Sequence, residues 1–143
     1  MAARTPVTIT AHVLNPATAG GEILVLDEAL SFWGGFDPVS GRILDRHHPQ
    51  AGLSVTGKIV VMPSSRGSAG TPAGVAESIR IGTGPAAVIL RHPDVNIAIG
   101  AMVAQELYGN GIPVLAVSDP QYGQLANGTR VAIDSDGSIT IEP

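Results

Sequence analysis

The chain has 143 residues, a formal net charge of −4, and a composition that is 44% apolar but only 3% aromatic. This size supports one domain, 1–143, whose core must be assembled from Val, Ile, Leu and Ala, which favours sheet-rich or α/β packing. Lys58 is the only lysine and cysteine is absent, which argues against a nucleic-acid interface, a disulfide, a thiolate nucleophile or a cysteine-held metal in this chain.

Residues 1–6 read as a frayed end, with no basic-then-apolar leader. Residues 7–14 alternate Val7, Ile9, Ala11 and Val13 with polar neighbours and predict a strand, and 22–26 predict a second. Gly34-Gly35 and Asp37-Pro38 make 30–41 a loop, and 46–49 form another polar loop. Residues 58–62 read as a buried strand. Residues 71–81 follow as a helix, with Thr71 as N-cap and Pro72 in its first turn. A strand over 86–90, a helix over 97–107 stopped by Gly109-Asn110-Gly111, and a strand over 113–117 continue the alternation. Segments 130–133 and 138–141 flank Asp134-Ser135-Asp136-Gly137 as a closing hairpin. The order implies a mixed α/β domain of two or three layers. No apolar run reaches the roughly 18 residues that span a bilayer, so no membrane is involved and a cytoplasmic location is the expectation.

The chemistry concentrates between a strand and a helix, in Pro63-Ser64-Ser65-Arg66-Gly67-Ser68-Ala69-Gly70. Hydroxyls, a guanidinium and free backbone N–H groups at a helix N-terminus suit an anionic ligand or a developing oxyanion. As bare composition, a Ser/Gly loop is also an ordinary connector. The spacing excludes a Walker loop, and Arg66 stands where a hydrolase elbow needs its first glycine. His12, His47, His48 and His92 offer candidate partners with nothing to choose among them, and His47-His48 lacks the spacing of helical metal ligands. Phe32, Trp33 and Phe36 form either a small core cluster or an exposed docking patch.

Read together, the opening Glu22-x-Leu24-Val25-Leu26, then Ser31-Phe32-x-Gly34-Gly35-x-Asp37, Gly41, His48-Pro49, Gly57-Lys58 and Arg66-Gly67-Ser68 resemble the swivel domain, or small subunit, of the aconitase X family. The resemblance runs over about residues 8–140 and implies a swivelling β/β/α domain of the aconitase-swivel type. It also implies a hydro-lyase (dehydratase) that is inactive without a large catalytic subunit. That subunit would hold an iron–sulfur cluster or iron with its own cysteines, and this chain would hold no metal. The substrate would be a small hydroxylated carboxylate: cis-3-hydroxy-L-proline in bacterial-type enzymes, mevalonate 5-phosphate in archaeal-type ones. By the family's Gly-Ser pairing the catalytic base falls on Ser68, with Ser64, Ser65, Arg66, Gly67 and His48 on the substrate. Ser65-Arg66-Gly67-Ser68 replaces the archaeal-type Gly-Lys-Gly-Ser, which favours the hydroxyproline enzyme, while Ala69-Gly70-Thr71-Pro72 departs from the family's usual continuation.

The segment 96–117 also resembles the phosphohistidine domain of phosphoenolpyruvate-utilising enzymes through Ala98-Ile99-x-Ala101 and Gly111-Ile112-Pro113. Asn96 stands where the phosphorylated histidine belongs, so this likeness implies shared swivel architecture without phosphotransfer. The alternatives from other classes are a non-catalytic regulatory or scaffolding swivel domain and a free-standing small-molecule binder.

Overall fold

The structure is a computed structural model that describes residues 6–66 and 69–142. Ten strands and three helices follow one another as β1 (Val7–Thr10), β2 (His12–Asn15), β3 (Ala19–Val25), β4 (Phe36–Asp37), β5 (Arg42–Ile43), β6 (Ile59–Met62), α1 (Thr71–Ile81), β7 (Ala87–Leu90), α2 (Val95–Tyr108), β8 (Val114–Ala116), α3 (Asp119–Tyr122), β9 (Arg130–Ile133) and β10 (Ser138–Ile141). The expected frayed end lies outside the described residues except for Pro6.

Eight strands form one sheet in the order β1-β10-β9-β3-β6-β7-β8-β2. Strands β3, β6, β7 and β8 run parallel, and the short apolar runs of β6, β7 and β8 are buried, the pattern of strands covered on both faces. Strand β3 serves two halves of the sheet. Ala19 to Glu22 pair antiparallel with β9, and Ile23 to Val25 pair parallel with β6.

The expected first strand breaks at Ala11. Residues before it pair with β10 at one edge of the sheet, and residues after it pair with β8 at the other. Neighbours in sequence thus occupy opposite edges, so the sheet curls until its edges meet. At the crossing the Ala11 N–H donates to the Gly137 carbonyl at 2.9 Å. Gly137 has φ +92°, and an added Cβ would lie 2.7 Å from the Ala11 carbonyl oxygen, so both the turn and the close approach require glycine.

Two cores result. Ile9, Ile23, Ile59, Ile89, Leu115, Val131, Ile133 and Ile139 fill the space inside the curled sheet. Leu26, Val60, Met62, Val75, Ile79, Leu90, Ile97 and Ala101 pack between the sheet and α1 and α2. This is the expected three-layer β/β/α arrangement. The hairpin over 130–141 forms as expected.

Three local expectations change. Segment 30–41 is not all loop, because β4 and β5 pair as a two-residue ladder. Its turn is made by Asp37, whose carboxylate accepts from the Val39 N–H at 3.0 Å and the Ser40 hydroxyl at 2.7 Å. Thr71 is not the N-cap. The first helical bond runs from the Gly74 N–H to the Gly70 carbonyl, which places Gly70 at the cap and buries Thr71 inside the first turn. The second helix starts at Val95, not residue 97, because the Asp94 carboxylate accepts from the Asn96 N–H at 2.8 Å and caps it.

Candidate active site

Strand β6 ends at Met62, and the next eight residues lead into α1. The loop therefore sits at the carboxyl end of the parallel strands, where open α/β sheets place their ligands. A cleft of about 380 Å³ lined by Thr56, Gly57, Ser78 and Asn110 lies at the opposite end of these strands. Gly67 and Ser68 fall outside the described residues, so the proposed base and its glycine are located only by their flanks.

Those flanks are firmly tied. Ser65 is buried, forms a parallel bridge with Leu30, and donates its hydroxyl to the Asp94 carboxylate. Asp94 therefore does two things: one oxygen holds Ser65 and the other caps α2. The Arg66 N–H donates to the Leu30 carbonyl at 3.2 Å. Its guanidinium reaches the Asp45 carboxylate at 3.3 Å while the side chain stays 58% exposed. Ser64 is half-buried and donates to the Ser65 carbonyl at 3.2 Å. At the far end of the loop, Gly70 lies beneath the Trp33 indole, with no room for a Cβ. As a glycine it brings no side chain to cap α1.

His48, expected on the substrate, has its ring turned into the protein. The ring is buried, its Nε2–H donates to the Glu28 carbonyl at 3.0 Å, and its Nδ1 accepts from the Gln50 N–H at 3.0 Å. Both ring nitrogens are engaged by backbone, which also fixes the tautomer. The ring braces the 45–53 loop, and that loop carries Asp45 to Arg66. His12 and His47 are exposed on β2 and on this loop, and His92 is exposed with its N–H bonded to the Pro63 carbonyl at 2.9 Å. The structure thus gathers Ser64, Ser65 and Arg66 and adds Asp94 and Asp45, which the sequence reading did not single out. Asp94 had a legible signal, since an Asp between Pro93 and an apolar helical stretch is a capping pattern. Asp45 had none.

The chain carries no cysteine, and no group of three His, Asp or Glu side chains among the described residues could hold a metal ion. The residues described here therefore provide no ligand set for an iron centre. Among the described residues no helix is long and apolar enough to cross a membrane.

A three-layer β/β/α domain with a Ser/Gly loop at the strand carboxyl ends defines a swivelling domain. The aconitase X swivel domain family model matches residues 8–141, and the chain belongs to that family. It is 40% identical over 121 residues to a cis-3-hydroxy-L-proline dehydratase of Pseudomonas aeruginosa, covering 81% of this chain and 21% of that protein. It is 33% identical to the phosphomevalonate dehydratase small subunit of Methanothermobacter thermautotrophicus, covering 90% of this chain and 94% of that one. The crystal structure of Thermococcus kodakaraensis aconitase X superposes with a TM-score of 0.84 at 28% identity, over 96% of this chain and 99% of that chain. The chain spans about a fifth of the length of the hydroxyproline dehydratases it matches.

Proposed function

We propose that this chain is the small, swivel component of an aconitase X-type hydro-lyase that dehydrates a hydroxylated carboxylate. The observation that carries the reading is the family match across residues 8–141, with the Ser-Arg-Gly-Ser loop at the junction of β6 and α1. In this reading Ser68 accepts the proton from the carbon beside the substrate carboxylate. A serine is a competent base only if its oxyanion is stabilised. Arg66 and the N–H groups opening α1 supply that stabilisation in a site closed from water. Ser64 and Gly67 line the substrate beside it, and Ser65 holds the loop through Asp94. His48 acts here as the brace of the Asp45 loop, keeping Arg66 aimed, rather than as a substrate ligand. Iron, alone or in a cluster, would be held by cysteines of a large partner subunit and supply the Lewis acid for the departing hydroxyl.

The 40% identity to a protein named cis-3-hydroxy-L-proline dehydratase supports that substrate. A second reading, dehydration of mevalonate 5-phosphate, is supported by the near-complete coverage of small subunits named for that reaction. Assay of the reconstituted pair on both substrates decides between them. Ser68→Ala should abolish turnover while leaving assembly intact, and near-normal turnover would refute the assignment of the base.

A further inference from the structure

The aromatic trio of the Ser31–Asp37 motif divides in the structure. Phe32 and Phe36 are buried, with ring centroids 5.3 Å apart, whereas Trp33 is 59% exposed. Trp33 is the only tryptophan in the chain, and an exposed indole in so aromatic-poor a surface is the residue type that dominates protein–protein contacts. Beside it opens an apolar cleft of about 300 Å³ lined by Phe32, Trp33, Phe36, Pro38, Ala73 and Gly74, with Glu77 at its rim. The floor is closely packed: an added Cβ on Gly74 would strike the Phe32 carbonyl.

The position of the cleft identifies its occupant. Leu30 bridges Ser65 and accepts from the Arg66 N–H, and Trp33 covers Gly70. The 30–33 segment therefore flanks the candidate catalytic loop at both ends. Any body that brings the remaining half of the site to that loop must also pass over Trp33. The hydroxyproline dehydratases that match this chain carry about four-fifths of their length outside the matched part, so such a body exists in these relatives. Resting on the function proposed above, we propose that the Trp33 cleft is the docking socket for an apolar side chain of the large catalytic subunit.

A rival surface lies on α2, where Val95, Ile99, Met102 and Leu107 are also exposed. The test therefore compares the two faces. The purified full-length aconitase X large chain of the same organism is titrated into this chain, with binding read by sedimentation and by Trp33 emission. Filling the cleft shifts the emission to shorter wavelength. Trp33→Ala weakens binding about tenfold or more, as loss of an anchor does, and Trp33→Phe recovers most of it. Ala73→Glu, on the exposed face of α1, leaves the Trp33–Gly70 contact in place but blocks the cleft, and weakens binding comparably. Met102→Glu on α2 leaves binding within about twofold. Undisturbed binding by Trp33→Ala and Ala73→Glu, or loss of binding only in Met102→Glu, overturns the socket while leaving the proposed function standing. Failure of the wild-type chain to bind overturns both.

Discussion

Removing the Asp94 carboxylate tests the clamp that fixes the candidate loop. Asp94 holds the buried Ser65 hydroxyl with one oxygen and the Asn96 N–H with the other. A hydrogen bond to a charged group contributes about 1.5–3 kcal/mol, and an N-cap about 1 kcal/mol. Asp94→Ala should therefore destabilise the isolated chain by about 2.5–4 kcal/mol. Ser65→Ala removes only the shared bond, and the carboxylate keeps its capping role, so its cost is about 1.5–3 kcal/mol. Since both variants break the same bond, the double variant should fall short of the sum by about 1.5–3 kcal/mol. Asp94→Asn keeps the cap and should cost roughly 1 kcal/mol. Urea unfolding followed by far-UV circular dichroism measures all four. Trp33 fluorescence is a weaker probe because the indole is already exposed. Additivity within about 0.3 kcal/mol would refute the clamp.

Three further outcomes follow from the geometry. Gly100→Ala gains about 1 kcal/mol of helix propensity, but its Cβ would stand 2.7 Å from both the Pro72 carbonyl oxygen and the Val75 Cβ. Neither neighbour can rotate away, so a net loss of about 1–2 kcal/mol is expected, and a thermal melt showing a gain would contradict the tight α1–α2 crossing. His48→Ala should cost the isolated chain about 2–4 kcal/mol through an emptied site and unpartnered backbone groups; a ring that served only the substrate would leave its urea midpoint unchanged. The Asp37 carboxyl is held below its ordinary value by the Ser40 hydroxyl and then the Val39 N–H. Its contribution to the 37–41 turn is therefore present above the unfolded carboxylate pKa of about 3.9 and is lost as pH falls through the lower folded value. Carboxyl NMR titration should find that depressed midpoint, and it should rise toward the ordinary range in Ser40→Ala, with the Val39 N–H still holding part of the depression.

Local pattern made the parallel strands legible, because 59–62, 87–90 and 114–116 are short apolar runs buried in the middle of the sheet. It did not reveal Ala19 to Gly21 as part of β3. Gly20-Gly21 lacks strand propensity, and Gly21 is there because an added Cβ would lie 3.1 Å from the Gly57 carbonyl oxygen. The β4–β5 ladder escaped because two-residue strands carry no periodicity and are set by the Asp37 turn. In the site, the loop could be read from its Ser, Arg and Gly content, but its pairing with the carboxylates that fix it could not. Asp94 lies 29 positions from Ser65, and Asp45 lies 21 from Arg66. Such pairings are decided by the path of the chain and not by neighbouring residues. His48 shows the reverse case, a residue whose chemistry suggests a ligand but whose two nitrogens are both taken by backbone.

The crossing at Ala11 has a consequence for biosynthesis. Among the described strands β1 pairs with β10 alone, with Val7 opposite Ile141 about 130 positions later. At 5–20 residues per second, β1 waits roughly 7–27 s on the ribosome without its partner. During that interval Val-Thr-Ile-Thr is an unpaired sheet edge, open to pairing with a neighbouring nascent chain. Pairing of β1 with β10 is thus among the last contacts of the sheet that synthesis allows to form. Crowding during synthesis is therefore a condition that exposes this strand to mispairing.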